Sequence, residues 1–303
     1  VRASFKDSDL QDAFTADGFV VVDLFDADTA AALLAHVLEV SAGAFEPSEI
    51  GGNRLTYYAS VIDSDFEVRR RLFRLLAPAM TDAADRLLDR HRLVTAGIVA
   101  KKGGAGTLAL HTDPTLTTDP DIASLTLWCP LVDVEEANGR LHVIPGSHKV
   151  SRQINGPGIP EYYWRYRDRI ARHATALSLK AGQAVIFDGR LIHGSPPNTT
   201  ERVRAAIMAS FVPEEAQALL FTPDPDSAGA RLLMFDVGNG RYFEHDAADF
   251  VSGRVAEAHV GAIANPNAPV TVEEFERRLA DLRRPAAVPA PRPGFLARLA
   301  GRR

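Results

Sequence analysis

Cysteine is nearly missing from this chain: of 303 residues only Cys129 carries a thiol. A lone cysteine excludes an intrachain disulfide framework and suits a reducing compartment, so a cytoplasmic location is expected. Long apolar runs are missing as well. None approaches the ~20 residues that span a bilayer, and the residues after Val1-Arg2-Ala3 are charged rather than the apolar core of a secretory leader. Stable membrane insertion is therefore not expected. An excess of one charge is also lacking. With 34 Lys and Arg against 39 Asp and Glu the net charge is −5, which gives no basic field of the kind a nucleic-acid binder presents. No internal repeat is visible, and nothing in the sequence fixes an oligomeric state.

What is present is an ordinary globular composition, 46% apolar and 24% charged, in a chain long enough to bury a full core. The N-terminal part reads as helices around one strand. A short helix is expected over 8–16, a β-branched strand over 18–22, and a helix from Ala27 to Ser41 capped by Asp26, with Asp28 in its first turn. Leu72, Leu75, Leu76, Met80, Leu87 and Leu88 recur at helical spacing across 66–90, with Pro78 expected to break or kink that helix. From Leu93 the texture changes to short strands with turn punctuation: 93–100, 108–113, 124–131, 141–144, 177–179, 184–187, 191–193 and 204–212. Such a series reads as a sandwich or barrel, not a doubly wound sheet. Residues 152–172 interrupt it with Tyr162, Tyr163, Trp164 and Tyr166 among Arg152, Arg165, Arg167, Arg169 and Arg172. This is either a lid over a binding site or a helical segment whose aromatics pack on the core. Beyond 213 the pattern fades until Thr271 and Glu274, a capping box opening a helix to about Arg284. Residues 285–293 are a Pro/Ala-rich linker, and 294–303 a short basic tail.

His111-Thr112-Asp113 and the distant His193 carry the chemistry. In a strand, residues i and i+2 point to the same side, so His111 and Asp113 can reach one metal ion while Thr112 faces away. His193 must be brought alongside by another strand. Two imidazoles and one carboxylate are the facial ligand set of a mononuclear non-haem Fe(II) site, which leaves the opposite face of the octahedron open. His36, His91, His173, His245 and His259 lack a spacing that ties them to this set.

The segment Asn138-Gly139-Arg140-Leu141-His142-Val143-Ile144-Pro145-Gly146-Ser147-His148-Lys149 resembles the NG-x-L-x-x-(I/L)-PGSH segment of the phytanoyl-CoA dioxygenase family. His111-Thr112-Asp113, Ala181-Gly182-Gln183-Ala184 with Phe187, and His193-Gly194-Ser195 fit the same family in the same order. The likeness covers roughly 93–212, is looser over the N-terminal helices, and ends at about 213. It implies a mainly β fold with flanking helices around a double-stranded β-helix, a cupin-like jelly roll. It implies Fe(II), 2-oxoglutarate as cosubstrate and O₂, acting on a small-molecule substrate. Residues 1–284 are expected to form a single catalytic domain, with N-terminal helices over about 8–90, a core over about 93–212 and a C-terminal extension over 213–284.

The family's metal ligands fall on His111, Asp113 and His193. Its cosubstrate arginine falls on Arg204, 11 residues after His193. A guanidinium suits that task because its planar fork grips a carboxylate and stays charged when buried. Strand alternation does not separate Arg204 from Arg202; the family spacing favours Arg204. Ser195 and Trp128 are implied to lie beside the cosubstrate, and Lys101 or Lys102 is a looser candidate. Asp113 argues against halogenation, for which related enzymes have a small residue there, and for hydroxylation, desaturation or cyclisation. The arginines of 152–172 lean towards an anionic or CoA-linked substrate. Two other classes compete: a cupin-like Zn²⁺ or Mn²⁺ hydrolase or isomerase working through activated water, and a non-catalytic jelly-roll binding protein.

Overall fold

A computed structural model of the chain describes residues 2–50, 53–119, 122–150, 153–238, 240–252 and 254–283. The linker and tail at 285–303, and the side chains of Arg152 and Arg284, lie outside these described residues.

Aspartates start the three N-terminal helices. Asp7 accepts from the backbone of Asp9 and Leu10 to open α1 (Ser8–Asp17), Asp26 accepts from Thr29 to open α2 (Ala27–Val40), and Asp65 accepts from Glu67 and Val68 to open α3 (Phe66–Leu87). Pro78 does not end α3, which runs on past it to Leu87. Leu72 and Leu76 before the proline, and Met80 and Ala83 after it, are all fully buried. Packing on both sides thus outweighs the missing backbone donor.

Strand β1 (Phe19–Asp23) joins β2 (Tyr58–Ala59), β3 (His91–Lys101), β5 (Leu125–Pro130), β8 (Gln183–Asp188) and β10 (Arg204–Pro213) in one antiparallel sheet of order β1-β8-β5-β10-β3-β2. A second antiparallel sheet, of order β4-β9-β6-β7, is built from β4 (Leu108–His111), β6 (Leu141–Val143), β7 (Thr175–Leu177) and β9 (His193–Ser195). The sandwich expected from the sequence is there, with helices covering one side of it.

Alternation along the central strand β10 divides its two faces. Ala205, Ile207, Ala209 and Phe211 are fully buried in a core shared with Val37, Leu72, Leu76 and Met80 of the helices. Truncating one such leucine to alanine would cost about 2–5 kcal/mol. Arg204, Ala206, Met208 and Ser210 point the other way, into the space between the sheets. Register places Arg204 opposite Lys101, and Met208 and Ser210 opposite Trp128 and Thr126. Met208 and Ser210 are half-buried although their strand is central and its other face is sealed by helices. The interior is therefore open to solvent at their level.

The sequence pattern beyond 213 fades, yet a third sheet lies there: β11 (Leu219–Pro223), β12 (Arg231–Asp236) and β13 (His259–Ala264), in that order. Helix α4 (Val272–Arg283) follows, with Thr271 accepting from the Glu274 backbone as the capping box requires. Its Phe275 and Leu279 pack with Tyr163 and Ile170 against Ile144 and Ile192. Residues 162–173 form short helical turns. Their cations face outward: Arg169 pairs with Glu273 and Glu276, Arg172 with Glu276, and Arg167 stacks on Trp164. Of the segment's aromatics, Tyr162, Tyr163 and Tyr166 pack on the core, while Trp164 is exposed. No described helix is long and apolar enough to cross a membrane.

The Pro145-Gly146-Ser147-His148 turn docks on the N-terminal elements. The Gly146 amide donates to the Asp17 carbonyl, and the Asp188 amide donates to that of Gly18. Gly18 has φ +84°, and a Cβ there would lie 2.3 Å from Nδ1 of the buried His148 ring. Gly18→Ala therefore meets both a left-handed backbone penalty and a clash, and should cost roughly 2–4 kcal/mol by chemical denaturation. The double variant Gly18→Ala/His148→Ala should recover the part due to the clash. A neutral Gly18→Ala would show that this contact does not fix the turn.

Candidate metal centre and anion pocket

The centre begins with one register. In the antiparallel pair β4–β9, His111 and His193 are direct partners, and their rings lie 4.2 Å apart between centroids. Gly194 permits this approach, because a Cβ on it would meet the Leu108 carbonyl at 2.8 Å. Each imidazole is oriented through Nδ1, bonded to the carbonyl of the residue two before it: Ala109 at 2.8 Å and Leu191 at 2.9 Å. That bond places the proton on Nδ1 and leaves each Nε2 lone pair free for a metal.

Asp113 lies just beyond the end of β4. Its amide donates to the Gly189 carbonyl at 2.9 Å, and its Oδ2 accepts from Thr126 Oγ1 at 2.5 Å. Its Oδ1 is then 3.9 Å from His111 Nε2 and 3.7 Å from His193 Nε2. One ligand atom of each residue lies within 4.8 Å of the others. Burial, then the charge of His111, push the His193 pKa down to about 4, so this ring is neutral near pH 7 and able to ligate. Phe187 covers it with ring centroids 4.7 Å apart.

Beside these donors, the inner face of the larger sheet carries two buried cations. Arg204 is 1% exposed and Lys101 is fully buried, directly opposite each other across β10 and β3. Lys101 Nζ donates to the carbonyls of Ser195 at 3.1 Å and Pro196 at 2.6 Å. Arg204 has neither an ion-pair nor a hydrogen-bond partner among the described residues; its guanidinium carbon lies 5.4 Å from the Trp128 ring centroid. The Ser195 hydroxyl is buried and equally without a partner. Burial holds the Arg204 pKa down to about 10, and burial followed by the charge of Arg204 takes Lys101 down to about 7. Two cations and a hydroxyl, buried with no anion among the described residues, form a cluster whose chemistry suits a carboxylate.

The expected residues thus gather on one interior surface: His111, Asp113 and His193 on one side, and Arg204, Ser195 and Trp128 adjoining. Arg202 is exposed and outside it. Lys101 faces inward, whereas Lys102 is outward and pairs with Glu46. Thr126 and two tyrosines were not anticipated. Tyr57 and Tyr242 pack with Met208 in one half-buried cluster, and burial plus the Asp113 charge push both phenols up to about 12. Strand alternation from Ala59 could have indicated Tyr57. Nothing local marks Tyr242, which lies in the C-terminal extension.

The two sheets of a jelly roll thus hold a His-Asp-His set beside two buried cations. The chain belongs to the phytanoyl-CoA dioxygenase (PhyH) family, whose model matches residues 14–206. It is similar to the dioxygenase trt7 of Aspergillus terreus, 28% identical over 182 residues that cover 54% of this chain and 59% of that protein. It is also similar to the phytanoyl-CoA dioxygenase domain-containing protein 1 of Danio rerio, 30% identical over 115 residues covering 35% of this chain and 40% of that one. The chain thus spans about three-fifths or less of the length of these curated relatives. In fold it is similar to the epimerase SnoN, solved in complex with Fe³⁺, alpha ketoglutarate and nogalamycin RO. The TM-score is 0.53 at 22% identity, covering 70% of this chain and 85% of that one. The carbocyclase SnoK gives 0.52 at 19%, covering 70% and 86%.

A buried charge without a counter-charge destabilises the protein that holds it. Arg204→Met should therefore raise the stability of the ligand-free protein by roughly 1–4 kcal/mol, read as a higher thermal midpoint. A fall in the midpoint would mean that Arg204 has a partner in the free protein.

Proposed function

We propose that this chain is an Fe(II)- and 2-oxoglutarate-dependent dioxygenase that hydroxylates an unactivated C–H bond of a small molecule, with residues 2–283 acting as one catalytic unit. The observation that carries this reading is the Arg204–Lys101 pair, buried without an anion beside the three donors. A metal-dependent hydrolase or isomerase, or a non-catalytic binder, would give those two charges no task.

The donor set fits iron: two imidazole Nε2 atoms and one carboxylate oxygen on one side of a shared centre. Bound there, iron with 2-oxoglutarate and O₂ supplies the oxidation, the cosubstrate leaving as succinate and CO₂ while the substrate gains a hydroxyl. The rest is the work of side chains. His111 and His193 are held by their Nδ1 bonds, and Thr126 fixes the rotation of Asp113. Arg204 grips the far carboxylate of 2-oxoglutarate, Lys101 adds an ammonium, and Ser195 donates its hydroxyl. Trp128 packs beside them. Tyr57, Met208 and Tyr242 form an aromatic and apolar wall that orients substrate and excludes water. With iron bound, Asp113 would supply the carboxylate where a halide would otherwise be needed, which favours hydroxylation over halogenation. Arg169 and Arg172 are engaged with α4 and Arg167 with Trp164, so the case for an anionic or CoA-linked substrate does not rest on these three. The buried Cys129 fits the cytoplasmic location expected above.

Anaerobic addition of Fe(II) and then 2-oxoglutarate should produce a weak visible charge-transfer band, absent in His193→Ala and shifted to much higher 2-oxoglutarate concentration in Arg204→Ala. A protein that stays colourless contradicts the reading. A second expectation follows from Lys101. With a pKa of about 7 it is largely neutral above that pH, and a carboxylate beside it favours the charged form. Binding of 2-oxoglutarate to the Mn(II)-loaded protein should then take up close to one proton at about pH 8, and its affinity should fall as pH rises through 7. Calorimetry in two buffers of different ionisation enthalpy measures this. Lys101→Met should abolish the uptake, and binding by the unaltered protein without proton exchange would remove Lys101 from the pocket.

A further inference from the structure

Residue 112 lies at a weak point of the sheet. Among the described residues β4 is an edge strand paired with β9 alone, and the ladder between them ends at His111–His193. Thr112, between the proposed ligands His111 and Asp113, lies past this ladder, and no described strand pairs its backbone amide or carbonyl. Both groups are nevertheless satisfied. The Thr112 amide donates to Glu161 Oε1 at 3.0 Å, and its carbonyl accepts from Asn155 Nδ2 at 2.6 Å. Two side chains of the 153–163 segment thus do at this position what a neighbouring strand would do.

The same segment continues the imitation with its backbone. The Thr115 amide donates to the Asn155 carbonyl, and the Asn155 amide donates to Thr115 Oγ1, each at 2.9 Å. Asn155 Nδ2 also lies 3.4 Å from Glu161 Oε1, which ties the two side chains together. Glu161 forms no ion pair among the described residues, and its Oε1 accepts from the Thr112 amide. The segment is anchored. Tyr163 and Ile170 are buried against Leu110, the outward-facing residue of β4, and against Phe275 and Leu279 of α4. The outward side of the ligand strand, Leu110 and Thr112, is thereby held by one rigid patch while His111 and Asp113 face inward.

We propose that Glu161, together with Asn155, is a positioning residue for the metal centre. By closing the sheet edge at Thr112 from the side away from the metal, the pair sets the spacing and angle between His111 and Asp113. This rests on the reading of His111, Asp113 and His193 as ligands. It assigns to the aromatic, arginine-rich interruption of the barrel a role in metal retention that neither of its sequence readings contained.

The test is Co(II) binding to the apoprotein by Glu161→Ala, Glu161→Gln and Asn155→Ala, followed by titration and by the visible d–d spectrum, beside thermal unfolding of each apoprotein. Glu161→Ala and Asn155→Ala should bind Co(II) roughly 10- to 100-fold more weakly than the unaltered protein, with a changed d–d envelope. Glu161→Gln keeps an oxygen that accepts from the Thr112 amide, and should restore both affinity and spectrum. A role in stability alone would lower the apoprotein midpoint and leave spectrum and affinity unmoved, which overturns the proposal. Should Glu161→Ala fail to fold, Asn155→Ala decides: Co(II) affinity equal to that of the unaltered protein overturns it. His193→Ala, expected to lose Co(II) binding, separates the two claims. If the unaltered protein binds no Co(II), the ligand reading and the positioning role fall together. If it binds in a His193-dependent way that Glu161→Ala does not disturb, only the positioning role falls.

Discussion

His111 and His193 face each other across two antiparallel strands, and the rest of the molecule depends on that register. A slip of one residue would turn every side chain of β4 to the opposite side of its sheet, taking His111 out of the interior and putting Leu110 in its place. Several features hold the register. Gly194 lets the strands approach, the Nδ1 bonds to Ala109 and Leu191 lock the ring orientations, and Leu110 and Thr112 are engaged from outside. Asp113 has no ladder partner, so its placement falls to the Gly189 carbonyl and the Thr126 hydroxyl. The centre is precise because each donor is fixed twice, once by backbone and once by a side chain.

The second constraint is electrostatic. Arg204 and Lys101 lie opposite each other, buried, with like charges and no carboxylate between them. Folding alone does not favour such a pair, and the protein retains it at a cost in stability. The arrangement makes sense if an anion joins it, because a dicarboxylate with one end at the triad can place its other end between the two cations. The metal donors and the anion pocket are then two ends of one ligand's footprint, and the aromatic wall of Tyr57, Met208 and Tyr242 is left for the substrate.

Much of this was legible in the sequence where the signal is local. Asp26 before an apolar-periodic run starts α2 where the capping rule puts it, and the β-branched run 19–22 is a strand. The i, i+2 spacing of His111 and Asp113 suggested that the two converge, and the structure brings both near His193, although β4 ends at His111 and Asp113 lies beyond it. Pro78 does not break α3, since burial of Leu76 and Met80 on either side overrides a propensity that speaks only for isolated helices. The third sheet was missed because its strands, Leu219–Pro223 and Arg231–Asp236 among them, bury irregular sets of residues and do not alternate cleanly. Lys101 and Lys102 are indistinguishable in composition; only the register with Arg204 shows which faces inward. Tyr242 and Glu161 act across the fold on residues more than 40 positions away, and no local pattern encodes such a contact.

The account stands most directly on the position of one bound molecule. A crystal structure of the protein with Mn(II) and 2-oxoglutarate is predicted to show the metal on His111 Nε2, Asp113 and His193 Nε2. The far carboxylate of 2-oxoglutarate should lie between Arg204 and Lys101, within reach of the Ser195 hydroxyl. A metal bound elsewhere, or a cosubstrate carboxylate that leaves Arg204 and Lys101 without an anion, would contradict it.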